Sequence, residues 1–105
     1  MAKIKVFNKL NAPEIAGSSF KGFLYTTYDR LIDVLGKPTY DEPSGDNKTQ
    51  VEWVVEYKGK YGSGVFTIYD WKTYDREYTE TQLDVFNVGG VESAWDFINY
   101  LETLL

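Results

Sequence analysis

The polar and apolar positions alternate most clearly between residues 49 and 72, TQVEWVVEYKGKYGSGVFTIYDWK. This pattern predicts two long strands joined by a Gly/Lys turn. On the first, Val51, Trp53, Val55 and Tyr57 share one face, and Glu52, Val54 and Glu56 share the other. On the second, Val65, Thr67, Tyr69 and Trp71 oppose Phe66, Ile68 and Asp70. Apolar groups on both faces predict that this second strand is central and covered, at least in part, on both sides. Three further segments read as strands. Ile4, Val6 and Asn8 alternate with Lys3, Lys5 and Phe7; residues 20–25 form a second run whose Gly22 weakens its centre or marks a bulge; residues 83–88 form a third, ended by a sharp break at Gly89-Gly90.

Two segments have the period of a helix. Tyr28, Leu31, Ile32 and Leu35 predict a helix over 27–35, with Thr26 and Asp29 in a capping-box-like start and Gly36 and Pro38 as stop signals. Ala94, Trp95, Phe97, Ile98, Leu101, Leu104 and Leu105 form a broad apolar stripe that predicts a second helix over 91–104. Residues 36–48, with two prolines and two glycines, read as a loop. The tyrosine-rich segment 72–82 has no clear period and reads as an exposed loop or an extension of the hairpin. The order β-β-α-β-β-β-α predicts an α+β fold, an antiparallel sheet of four or five strands with both helices on one face. Residues 1–105 are expected to form a single domain.

Composition removes several kinds of chemistry. The 105 residues include no cysteine and no histidine. Disulfides, cysteine nucleophiles, the commonest general base and the commonest zinc ligand are therefore missing, which fits a reducing compartment. The start MAKIKVFNKL lacks the apolar region of a signal peptide, and no apolar run approaches the roughly 18 residues of a membrane span. Net charge is −5 and unevenly placed. Residues 1–60 carry nine basic and eight acidic side chains, whereas residues 61–105 carry two basic and eight acidic. The acidic half repels a phosphate backbone and attracts a basic protein surface, so a basic protein partner is expected and nucleic acid is not.

The candidate partner-binding residues follow from that half: Asp70, Tyr74, Asp75, Glu77, Tyr78, Glu80 and Asp84. Tyrosine offers a large contact area at low entropic cost, and interleaved carboxylates suit arginine and lysine on a partner. Other sets carry less. Tyr40, Asp41, Glu42 and Asp46 lack the spacing of a calcium loop and read as a solvated turn region. Gly89-Gly90 ahead of a helix resembles an anion-binding turn but has no adjacent basic residue, and reads as a tight strand-to-helix connection. Glu52 and Glu56 lie about 13 Å apart at strand rise, beyond the roughly 6.5–9.5 Å that paired carboxylates use in inverting glycosidases, and read as solvent-facing. Trp53, Trp71 and Trp95 read as core. No catalytic, cofactor-binding or metal-ligating set emerges.

The run GFLYTTYDRLIDVLGKPT, followed by KTQVEWVVEY, VFTIYDWK and FNVGG in that order, resembles a group of small, largely uncharacterised accessory proteins of tailed bacteriophages. The resemblance covers about two thirds of the chain and carries over no catalytic residue. It implies a phage-encoded protein acting in the cytoplasm of a bacterial host. Such proteins often act on host machinery, and with the missing catalytic sets and the acidic tyrosine-rich surface the expectation is a non-enzymatic inhibitor, anti-CRISPR-like in the broad sense, that occludes a host protein such as an antiviral defence component with that surface. Two alternatives stay open: a protein that sequesters a nucleotide signal at an aromatic pocket near Gly89-Gly90, and a structural or assembly protein of the virion. The expected state is a monomer or a homodimer paired through a sheet edge.

Overall fold

The computed structural model describes residues 2–105. In chain order the elements are β1 (Lys3–Val6), β2 (Ser19–Leu24), α1 (Tyr28–Leu35), β3 (Glu52–Lys58), β4 (Ser63–Tyr69), α2 (Arg76–Thr81), β5 (Phe86–Gly90) and α3 (Trp95–Leu104). The strands form one antiparallel sheet in the order β1-β3-β4-β5-β2, so β4 is central and β1 and β2 are the edges. The fold is α+β, as the sequence predicts. No helix among the described residues is long and apolar enough to cross a membrane.

Strand alternation decides which side chains meet. Trp53 pairs across the ladder with Ile68, Val55 with Phe66, and Ile68 with Val88. These apolar groups point to one face, where Leu31 and Leu35 of α1 and Phe97 and Leu101 of α3 cover them. The Phe66 and Phe97 rings stack at 4.7 Å with 10° between planes. The Trp53 ring meets Phe86 edge-on at 6.1 Å, and its Nε1–H donates to the Gly36 carbonyl at 2.9 Å, tying the end of α1 to the sheet. On β2 the register shifts between Phe20 and Gly22, and a Cβ at Gly22 would stand 2.9 Å from Ile98 Cδ1, so the missing side chain lets α3 seat on the edge strand.

Several boundaries differ from expectation. The cap of α1 is Thr27, whose hydroxyl accepts from Arg30 N, and Thr26 is buried. The last strand starts three residues later than expected and includes Gly89 and Gly90, which pair with both β4 and β2. Those glycines are there for packing. A Cβ on Gly90 would stand 2.8 Å from the Phe66 ring, and one on Gly89 would stand 2.9 Å from Thr67 Oγ1. The final helix begins only at Trp95, capped without a side-chain hydrogen bond. A short helix, α2, replaces the expected loop: Asp75 caps it by accepting from Glu77 N, and only Thr79 is buried, so no apolar period announced it. Trp53 is core, but Trp71 and Trp95 are 47% and 66% exposed, which corrects the expectation that all three tryptophans are buried.

Tyr57 gives a pH signature. It is buried, and its hydroxyl donates to Asp96 Oδ2 at 2.8 Å. Burial, reinforced by the hydrogen bond to that carboxylate, pushes the phenol from 10.0 up to about 12. A raised pKa means that the protonated form is favoured by folding. The stabilisation is therefore complete below pH 10.0 and lost as pH rises through about 12. The Tyr57→Phe variant is expected to show a shallower decline of its urea midpoint across that window than the parent chain. Parallel declines would exclude the role.

Candidate binding surface on the open face of the sheet

The seven residues singled out from the acidic half separate into two roles. Asp70 is fully buried and is a structural anchor. Its Oδ1 accepts from the backbone N–H groups of Gln50 (2.7 Å) and Val51 (3.1 Å). Its Oδ2 accepts from the hydroxyls of Thr73 (2.7 Å) and Thr79 (2.6 Å). Alternation put Asp70 on the face shared with Phe66 and Ile68, and a carboxylate there survives only because four donors surround it. This corrects its assignment to the partner-binding surface.

The other six, Tyr74, Asp75, Glu77, Tyr78, Glu80 and Asp84, are exposed along residues 74–84. They are not equivalent. Asp75 is engaged as the α2 cap, and Glu80 receives Arg76 Nε at 2.7 Å. Arg76 also reaches Asp41 at 2.6 Å and lies over the Tyr28 ring. The side chains of Glu77 and Asp84 have no hydrogen bond or ion pair among the described residues. The segment is launched by a tight turn in which Lys72 and Tyr74 both adopt φ 56°, held by Lys72 N donating to the Lys48 carbonyl at 2.7 Å. Left-handed backbone at two residues with side chains costs energy, and the Asp70 network stabilises it.

A larger surface lies on the sheet face turned away from α1 and α3. Glu52 and Val54 of β3, Thr67 and Tyr69 of β4, Asn87 of β5, and Phe20 and Phe23 of β2 share it. The connection from β1 to β2 arches over part of this face and makes a cleft of ≈ 540 Å³ with Pro13, Glu14, Ile15 and Ser18 on one side and Tyr40, Glu52, Tyr69 and Trp71 on the other. A second hollow of ≈ 470 Å³ continues it, sharing Phe20, Tyr69 and Trp71 and adding Phe23, Leu83 and Val85. Phe20 and Phe23 are each 49% exposed, with ring centroids 4.9 Å apart, and Tyr25 extends the row at 6.3 Å from Phe23. Trp71 stands edge-on to Tyr69 at 6.1 Å, and the ammonium groups of Lys48 and Lys72 lie 5.7 and 5.8 Å from its ring centroid. A contiguous row of exposed aromatics beside polar groups marks an interaction surface more often than a solvated face. Leu83 and Val85 bracket Asp84, so the hollow ends where the acidic segment begins.

Glu52 is the one carboxylate set into this face beside Tyr69. Both its backbone polar groups bond to Tyr40 at 2.9 Å, which leaves Glu52 and Tyr69 as a non-hydrogen-bonded pair with side chains close together. Burial raises the Glu52 pKa, and the Tyr69 hydroxyl is raised by its own burial and by the Glu52 charge. Glu52 is part-buried, which corrects its reading as simply solvent-facing.

The remaining sets are internally engaged. Glu42 pairs with Lys9 at 2.6 Å, Asp41 with Arg76, and Asp46 accepts from Ser44 Oγ at 2.7 Å, so the 40–46 carboxylates serve the chain's own loops. No group of three or more metal-ligating side chains occurs among the described residues. Gly89 and Gly90 lie buried within the ladder and do not form a turn that presents amides to an anion. Strand alternation gave Glu52 and Tyr69 their faces but not which face the helices would leave open, and Phe20 and Phe23 come to one face only through the register shift between Phe20 and Gly22, so these residues were missed. Comparison of the chain with family models, with curated proteins and with solved structures gave no match.

Proposed function

We propose that this chain is a non-enzymatic binding protein that occludes a basic surface of a partner protein with the open aromatic face of its sheet and the acidic segment 74–84. The observation that carries this reading is the exposed row Phe20, Phe23, Tyr25 and Trp71, which runs into an acidic rim where Glu77 and Asp84 have no ion pair among the described residues. Aromatic groups supply contact energy when desolvated, and the carboxylates steer encounter and fix orientation. The resemblance to phage accessory proteins supplies the context: a host protein in the bacterial cytoplasm, with antiviral defence components first among the candidates.

The test uses the tagged full-length chain as bait in lysate of a bacterial host, followed by affinity measurement on the purified partner at two salt concentrations. Glu77 and Asp84 are the informative sites because reversing them disturbs neither the α2 cap nor the Arg76 pairs. The double change Glu77→Lys and Asp84→Lys is expected to weaken binding about tenfold or more at low salt and to flatten its salt dependence, with the fold kept and only the small stability loss of reversing a first-turn carboxylate of α2. An unaltered affinity would remove the acidic rim from the interface.

A second reading rests on the cleft itself, whose volume lies within the roughly 300–1,000 Å³ of small-molecule sites. A nucleotide stacked on its aromatic residues would raise the melting temperature with the logarithm of its concentration once that exceeds Kd. Stabilisation by nucleotides with no retained protein would favour that reading.

A further inference from the structure

We propose that the cleft beside Glu52 receives a single arginine side chain of the partner, its guanidinium held by the Glu52 carboxylate and flanked by Tyr40 and Tyr69. This deepens the protein-binding reading above and rests on it.

The case begins with what Glu52 does not do. The ion pairs among the described residues are Lys9–Glu42, Lys48–Asp46, Arg76–Asp41 and Arg76–Glu80, and none includes Glu52. No side-chain hydrogen bond to it is formed among the described residues either, and its backbone bonds go to Tyr40. The charged groups around it do not compensate it. Glu14 on the overlying loop adds a like charge, and Glu56, further along β3, pairs in register with Lys5 on β1. Lys48 and Lys72 are turned onto the Trp71 indole at the outer end. A part-buried carboxylate with no cation beside it costs stability, and burial raises its pKa accordingly. A strand position beside Tyr69 and Thr67 would be better served by a neutral side chain, so the carboxylate is a charge that the fold itself does not use.

The geometry favours arginine over lysine. The Glu52 backbone is fixed from two sides, by its bonds to Tyr40 and by its register with Tyr69, so the side chain is rooted at the cleft before anything binds. The cleft lining includes the rings of Phe20, Tyr40, Tyr69 and Trp71. A guanidinium is planar, weakly hydrated and always charged; it stacks on rings while its fork meets a carboxylate, which an ammonium group cannot do equally well.

The experiment is a titration of the ¹⁵N-labelled full-length chain with N-acetylarginine methylamide, with its neutral citrulline counterpart and with N-acetyllysine methylamide. The expected result is a saturable shift centred on Glu52, Tyr69 and the Trp71 indole N–H with the arginine probe, and none with citrulline at equal concentration. Glu52→Gln should weaken the arginine probe about tenfold or more while leaving the melting temperature equal or higher. A cleft that does not respond to the arginine probe, equal binding by the citrulline or lysine probe, or an unaffected Glu52→Gln variant would each overturn the proposal. The two readings fail separately. Loss of partner affinity in the Glu77/Asp84 double variant together with a silent cleft would sink the arginine site and keep the binding surface. A responsive cleft that Glu52→Gln abolishes, in a chain that retains no protein from lysate, would keep the site and sink the partner reading.

Discussion

Replacing Asp70 by alanine is expected to lower the unfolding free energy by about 3–5 kcal/mol, the scale on which a buried, multiply bonded carboxylate is missed. The carboxylate gathers two backbone donors from the start of β3 and two threonine hydroxyls from the segment after β4. Thr79 is itself fully buried, and without Asp70 its hydroxyl is left with the longer contacts to Thr73 Oγ1 at 3.0 Å and the Asp75 carbonyl at 3.3 Å. Each donor left unmatched costs about 1–3 kcal/mol. Asp70→Asn should be nearly as damaging, because it retains the shape but faces donors with an amide nitrogen. Against a total of roughly 5–15 kcal/mol for a domain, either change leaves little margin. Urea denaturation followed by tryptophan fluorescence gives the number. The same variant should shift Trp71 emission to the red, because the network anchors the turn that holds this residue against the cleft. A loss below about 1 kcal/mol, within the range of an ordinary surface change, would mean that the four-donor arrangement does not hold the native state together.

The Trp53→Ala variant is expected to lose about 3–5 kcal/mol through the cavity left in the core. Trp53 is fully buried, touches the rings of Tyr28 and Phe86, and is the only link from the sheet to the C-terminal carbonyl of α1 through Gly36 among the described residues. Trp53→Phe separates the two contributions: the ring volume is largely kept, the N–H is lost, and the cost should fall to about 1–2 kcal/mol. Equal losses in the two variants would show that the hydrogen bond, and not the volume, fixes α1. Both variants are read by the same urea titration, with Trp71 and Trp95 as the remaining fluorophores.

The sheet's strands, its class and the two longer helices were legible because burial leaves a period in the chain. Trp53, Val55 and Tyr57 alternate because the helices cover one face of β3, and Leu31 and Leu35 recur at helical spacing because α1 has one covered stripe. Where burial leaves no period, the reading failed. Six residues of α2 bury a single threonine, so nothing in their order distinguishes helix from loop. Gly89 and Gly90 read as a break because glycine usually marks one, whereas here they are the only residues thin enough to lie beside Phe66 and Thr67. Asp70 read as surface because isolated aspartates usually are, and its four donors come from positions 50, 51, 73 and 79, which no local window unites.

By itself, then, the sequence determined which segments form the five strands and the two longer helices, which hairpin residues share a strand face, and that residues 61–105 are acidic. Tertiary structure alone decided the order β1-β3-β4-β5-β2, which face the helices cover, and therefore that Phe20, Phe23, Glu52, Tyr69 and Trp71 line two adjoining hollows on the other face. The reason is physical. Alternation is a property of each strand and is written along it, whereas the pairing of Glu52 with Tyr69 and the closure of the 13–18 connection over them depend on hydrogen bonds and packing between segments far apart in the chain.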